Sequence, residues 1–370
     1  MKLLFLTGTR ADYGKIKSLI DITCKQGYET SIFVTGMHML SLYGSTHEEV
    51  TENHIKNTKI YKFINQNLSS TMDEVVSKTI FGLSDYVKEN RPDFIIIHGD
   101  RVETLAGVVV ATLNNIPSVH IEGGEVSGTV DEMIRHSVSK LASFHCVSND
   151  DAKLRLLQMG ESNEKISVVG SPDVDLMLGK SLPSINDVKK HYDINFDKYG
   201  ILLFHPVTTE SDETQNQIDI IIDAIERSNK NFVVIYPNND LSSDHIIRKY
   251  DNLSKIFRVF PSMRFEYFIT LLKNANIIVG NSSAGVREAP YFGIPVINIG
   301  SRQNDRSTAN SIINVNFDKD DILLNINNYF DVKFDESQNW GILGTDQMFL
   351  DAIKKFDKDG SSVQKYFVNI

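Results

Sequence analysis

Short runs of Val, Ile, Leu and Phe, each closing on glycine or a polar cluster, recur along most of the chain. One series reads LLFLTG, SIFVTG, FIIIHGD, SVHIEGG, FHCVSND and ISVVGSP; a second reads ILLFHPVT, NFVVIYPN, IFRVFPS, NIIVGNSS and VINIGS. The runs are nearly continuous rather than alternating. That is the pattern of strands buried on both faces, as in parallel sheets covered by helices. Helical patterns fill the intervals, including Ala11 to Lys25, Met72 to Asn90, Val102 to Asn114 and Gln215 to Ser228. The expected fold class is α/β, with two doubly wound domains.

Between the two series lies a polar, irregular stretch, GKSLPSINDVKKHYDINFDKYG. The domain boundary is placed near Gly179. The division expected is 1–178, 179–345, and a tail 346–370 whose Asp346 to Lys358 stretch reads as a helix able to pack back on the first domain. At 370 residues, two domains are the natural prior. A net charge of −10 disfavours nucleic-acid and anionic-membrane partners, and an anionic ligand then needs locally gathered arginines. Cys24 and Cys146 lie far apart with no CxxC, which reads as reduced thiols in a cytoplasmic protein. No apolar stretch reaches the roughly 20 residues of a membrane span. The first apolar run is too short for a signal-peptide core.

In open α/β sheets ligands bind outside the carboxyl ends of the strands, which is where this chain keeps its polar clusters. Two such sheets facing each other would line one cleft with them. In GNSSAGVREAP a strand end is followed by Ser282 and Ser283 and a helix start near Ala284, an anion site suited to a diphosphate. Glu288 lies further in and is suited to ribose hydroxyls. In HGDRVE, Asp100 ends an apolar strand beside His98, and Arg101 follows directly. In HIEGGEVSGTVDE, Glu122 sits at a strand end, with two glycines allowing close backbone approach. Thr129 and Glu132 have capping-box spacing, which leaves Asp131 as the carboxylate for chemistry. Glu125 reads as a solvated loop charge, and His136 and His145 as packing or capping residues. His205, fixed by Pro206, is a candidate acid or phosphate donor. Arg10, Arg302 and Arg306 are candidate guanidinium forks for phosphate. No GxGxxG after a strand, GxxxxGK[ST], GxSxG or HExxH occurs, and no cluster has metal-ligand spacing, so neither a cofactor nor a metal is expected.

Through GTRADYGK, IHGDR, HIEGGEVSGTVDE, IRHSVSK, GSPDVDLM, HPVTTE, GNSSAGVREAP and NIGSRQ, the chain resembles the hydrolysing UDP-N-acetylglucosamine 2-epimerases of sialic-acid biosynthesis. The resemblance implies two Rossmann-like domains in the GT-B arrangement, with the active site between them. It implies cleavage of the UDP-sugar, by way of a 2-acetamidoglucal, to UDP and the free 2-epimer, N-acetylmannosamine. On the same resemblance Asp100, Glu122, Asp131 and His205 match catalytic positions. Arg10, Asn238, Ser282, Ser283, Glu288 and Arg302 match nucleotide contacts. It also implies a homodimer or homotetramer. The non-hydrolysing branch carries a glutamine after the TG of the second strand, where this chain has Met37, so retention of that mechanism is disfavoured. Two alternatives stay open: a related hydrolysing enzyme acting on a UDP-2,4-diacetamido-2,4,6-trideoxyhexose, and a GT-B glycosyltransferase.

Overall fold

The structure, a computed structural model, describes all residues except 55–57, 128, 180–181, 304–305, 308, 359–362, 367 and 369–370, with the side chains of 129 and 208 also outside the description. The chain forms two compact units. The first takes Met1–Glu125, Asp131–Gly179 and Trp340–Ile370; the second takes Lys180–Asn339 together with Val126–Val130.

The first unit runs β1 (Lys2–Thr7), α1 (Arg10–Lys25), β2 (Glu29–Val34), α2 (His47–His54), β3 (Lys59–Lys62), α3 (Met72–Glu89), β4 (Phe94–His98), α4 (Val102–Leu113), β5 (Ser118–Ile121), α5 (Thr129–Leu141), β6 (Phe144–Val147), α6 (Asp150–Gln158), β7 (Ile166–Val168) and α7 (Asp173–Leu178). Its seven strands are ordered β3-β2-β1-β4-β5-β6-β7, and all pairs are parallel. The order reverses between β1 and β4, the topological switch point where ligands of such sheets collect.

The second unit runs α8 (Ile185–His191), β8 (Gly200–Leu203), α9 (Thr214–Ser228), β9 (Phe232–Ile235), α10 (Ser243–Tyr250), β10 (Phe257–Phe260), α11 (Phe265–Lys273), β11 (Ile277–Gly280), the single turn α12 (Ser283–Val286), β12 (Val296–Ile299), β13 (Ile312–Val315) and α13 (Lys319–Tyr329). Its sheet order, β10-β9-β8-β11-β12-β13, repeats the first unit's scheme, again all parallel. The switch point here lies between β8 and β11. The fold is thus α/β in two doubly wound units, as the apolar runs led one to expect.

The last helix, α14 (Thr345–Lys358), belongs to the first unit. Its apolar stripe, Phe349, Ile353 and Phe356, joins the core built on Leu3, Phe5, Phe94 and Phe144. Phe356 stacks on Phe144 at 4.3 Å between ring centroids. The second unit has its own core, on Phe204, Ile221, Phe232 and Ile297. The structure adds two strands, β3 (KIYK) and β13 (IINV), that are not among the runs quoted above. Each lies at a sheet edge, as β7 and β10 also do, and β3 is mostly exposed. Among the described residues no helix is long and apolar enough to cross a membrane.

Candidate active site

The first unit gathers its chemistry at the carboxyl ends of β1, β4, β5 and β7. His98, the last residue of β4, is buried between two carboxylates: its Nδ1 lies 2.7 Å from Asp12 Oδ1 and its Nε2 3.1 Å from Glu122 Oε2. Burial alone would lower this imidazole's pKa. The charge of Glu122 and hydrogen bonds to Asp12 and Glu122 outweigh that and raise it to about 9. Asp12 is fixed in turn by Thr7 Oγ1 (2.7 Å) and the Gly8 N–H (3.1 Å).

Glu122 follows β5 with φ of +61°, a left-handed conformation unusual for a non-glycine residue, and is 3% exposed. Such strain collects at functional sites. Its second carboxylate oxygen accepts from the hydroxyl of Ser171, which also contacts Asp173. Arg135, buried in α5, reaches the carboxylate of Asp100 with one nitrogen and the Glu122 carbonyl with the other, at 2.6 Å. One guanidinium therefore ties Asp100 to Glu122. Asp131 lies in the first turn of α5, four residues before Arg135 and so on the same helix face.

Other residues of this unit that the sequence singled out have protein partners of their own. Arg10 pairs with Glu49 at 2.8 Å, and Arg101 with the buried Glu103 at 3.4 Å. Glu125 is not a solvated loop charge: it is 1% exposed and accepts from Ser148. Glu132 pairs with His136 at 2.9 Å; the capping box expected with Thr129 involves a side chain outside the described residues. His145 is buried against Glu161 at 3.0 Å.

The second unit's cluster stands at the ends of β8, β9, β11 and β12. Asn281 is wholly buried and pairs with both backbone groups of His205: its Oδ1 accepts from the N–H at 2.7 Å and its Nδ2 donates to the carbonyl at 2.8 Å. This clasp spans the switch point between β8 and β11. The backbone N–H of Asn238 donates to His205 Nδ1 at 3.1 Å, which leaves the ring's proton on Nε2 as a donor. Gly280 is required just before Asn281, because a Cβ there would lie 2.1 Å from the Leu203 carbonyl. Ser282 caps α12 through the N–H of Ala284 at 3.3 Å; the helix begins at Ser283 and lasts one turn. Glu288 is buried just beyond it. Arg302 and Gln303 both donate to the Asn281 carbonyl, at 3.2 and 2.9 Å, and Arg306 donates to Gln303 at 2.9 Å.

Asp12, Arg135, Ser171 and Asn281 were not among the expected site residues. All four fall within runs quoted above, GTRADYGK, IRHSVSK, GSPDVDLM and GNSSAGVREAP, none of which singles them out. For Asp12 the usable signal was its place four residues past a strand-end glycine.

A family profile described as UDP-N-acetylglucosamine 2-epimerase matches residues 21–349. The chain is 43% identical to a UDP-N-acetylglucosamine 2-epimerase of Neisseria meningitidis serogroup B, over 100% of this chain and 99% of that protein. It is 35% identical to a hydrolysing UDP-N,N'-diacetylbacillosamine 2-epimerase of Legionella pneumophila, over 87% of each. The fold matches the crystal structure of the Methanocaldococcus jannaschii UDP-GlcNAc 2-epimerase in complex with UDP-GlcNAc and UDP, with a TM-score of 0.81 at 23% identity, covering 96% of this chain and 99% of that one. Doubly wound topology, acids and cation gathered at strand ends, and full-length identity agree: this chain belongs to the UDP-N-acetylglucosamine 2-epimerase family.

Proposed function

We propose that the protein is a hydrolysing UDP-N-acetylglucosamine 2-epimerase, converting UDP-GlcNAc and water to N-acetylmannosamine and UDP for sialic-acid biosynthesis. The observation that carries this reading is the pair Asp100 and Glu122, held by the single cation Arg135. Inverting a carbon by removing a proton from one face and returning one to the other needs two acid/base groups.

In the proposed course the bond from the anomeric carbon to the diphosphate breaks as the proton at carbon 2 is lost to a carboxylate, leaving a 2-acetamidoglucal and UDP. Water then adds at the anomeric carbon while a second carboxylate protonates carbon 2 from the opposite face. Asp100, Glu122 and Asp131 supply these groups. Charge growing on the departing UDP is met by Ser282, Ser283, Arg302, Arg306 and the Nε2–H of His205. Arg10, Arg101, Asn238 and Glu288 complete the substrate contacts in this reading, with Glu288 accepting from ribose hydroxyls. No metal or cofactor is invoked. Cys24 and Cys146, far apart in sequence with no CxxC, fit a cytoplasmic location, and the assembly proposed is a homodimer or homotetramer.

Proton NMR of products from a panel of UDP-sugars in heavy water tests this. Free N-acetylmannosamine with deuterium at carbon 2, together with released UDP, is the expected result. An epimer still attached to UDP, or sugar transfer to an acceptor only, overturns it. Turnover of the 2,4-diacetamido sugar alone would favour the activity named for the Legionella relative.

A further inference from the structure

Glu122 is buried, yet an acid/base group must exchange its proton once per turnover. The groups facing its carboxylate come from two sides, with a third group on its main chain. His98 lies on the Oε2 side, backed by Asp12; Ser171 lies on the Oε1 side, backed by Asp173; Arg135 holds its carbonyl. His98 has both ring nitrogens turned toward carboxylates, an arrangement that keeps both protons on the ring, so it acts as a fixed donor rather than an acceptor. A hydroxyl can take one proton while releasing another. Ser171 is placed to do this: it is fully buried, between Glu122 on one side and Asp173 on the other. Asp173 is 1% exposed and lies 3.1 Å from the ammonium of Lys15, whose side chain is 12% exposed.

The main chain at Ser171 is held as firmly as its hydroxyl. Its N–H donates to the Trp340 carbonyl at 2.8 Å, and its own carbonyl accepts from Thr345 at 3.3 Å. Asp175 accepts from the backbone of Gly344 and Asp346 at 2.6 and 2.9 Å. The returning strand of chain thus clamps the turn that aims Ser171.

We propose that Ser171, backed by Asp173 and Lys15, is the proton relay that resets Glu122 between turnovers. The inference rests on Glu122 being an acid/base group of the proposed reaction. The proton on Glu122 moves to Ser171 Oγ as the hydroxyl's own proton moves to Asp173. Asp173 passes that proton to Lys15 as the ammonium releases one of its own to water, so that Glu122 and Asp173 end ionised, Ser171 neutral and Lys15 still charged. Ser171 touches no reacting atom and is a positioning and relay residue.

Ser171→Ala is expected to lower kcat by about tenfold to a hundredfold, within the range of acid–base assistance, with the Kd for UDP unchanged. Ser171→Thr, which keeps the hydroxyl, is expected to recover most of the loss, and Asp173→Asn to move the pH profile of kcat. A Ser171→Ala enzyme that turns over like its parent with the same pH profile overturns the relay. Infrared spectra of the unliganded protein at stepped pH provide a readout free of substrate. The protonated-carboxyl band that disappears in Glu122→Gln should be displaced in Ser171→Ala and in Asp173→Asn. The same band at the same pH midpoint in parent and Ser171→Ala overturns the relay whatever the substrate. A parent that releases no UDP from any sugar sinks the functional reading instead, and the infrared comparison then decides the relay alone.

Discussion

At the scale of single residues, His98 has the clearest consequence. Its pKa is raised from 6.5 to about 9 on folding. A raised histidine contributes stability that is fully present below the unfolded value and is lost as pH climbs through the folded one. Stability should therefore fall between pH 6.5 and 9 by on the order of 3 kcal/mol on this account. Urea unfolding at pH 6, 7.5 and 9 checks it: the decline should be present in the parent and absent in His98→Gln. Asp100→Asn and Glu122→Gln are each expected to lose turnover by about 10²–10⁴-fold while still binding UDP, because charge is removed and shape is kept. Steady-state rates and UDP calorimetry measure this, and near-normal turnover in both would exclude them as the acid/base pair. Asp100 and Glu122 stand out in sequence because a lone acid after an apolar run has few structural reasons to be there. Arg135 and Asp12 do not, because on a helix a charge defaults to water. Only the packing of α1 and α5 against the strand ends turns these two inward.

At the scale of elements, the sequence pattern located eleven of the thirteen strands among the described residues and missed one border of each sheet, β3 and β13. A central strand needs apolar side chains above and below. KIYK, in β3, has neighbours on one edge only and keeps two lysines in solvent. The connection between β11 and β12 was legible as a serine-bearing helix start, but not the role of Asn281. That role depends on β8 lying beside β11, a pairing 76 residues apart in sequence. Asn281→Ala removes the hydrogen bonds to both backbone groups of the buried His205, at about 1–3 kcal/mol each. It should lower the unfolding free energy of the second unit and raise the Kd for UDP together. Unchanged affinity in a folded variant would remove the clasp from the nucleotide site. In α14, Phe356→Ala should cost about 3–5 kcal/mol, read as a drop in the melting temperature of the first unit, since this ring is fully buried against Phe144.

At the scale of the whole molecule, each unit has its own core and its own switch point. Calorimetry is expected to resolve two transitions. UDP should move the one belonging to the second unit, by about 2.7 kcal/mol at a hundredfold excess over its Kd, while Phe356→Ala moves the other. If UDP shifts only the transition that Phe356→Ala also shifts, the nucleotide is held by the first unit. The chain's route between the units has a further consequence. The first unit recruits residues 340–370 from beyond the second, so a ribosome finishes the second before supplying the last helix of the first. During synthesis the second unit would be complete while the Ser171 turn still lacked its contacts with Trp340 and Thr345.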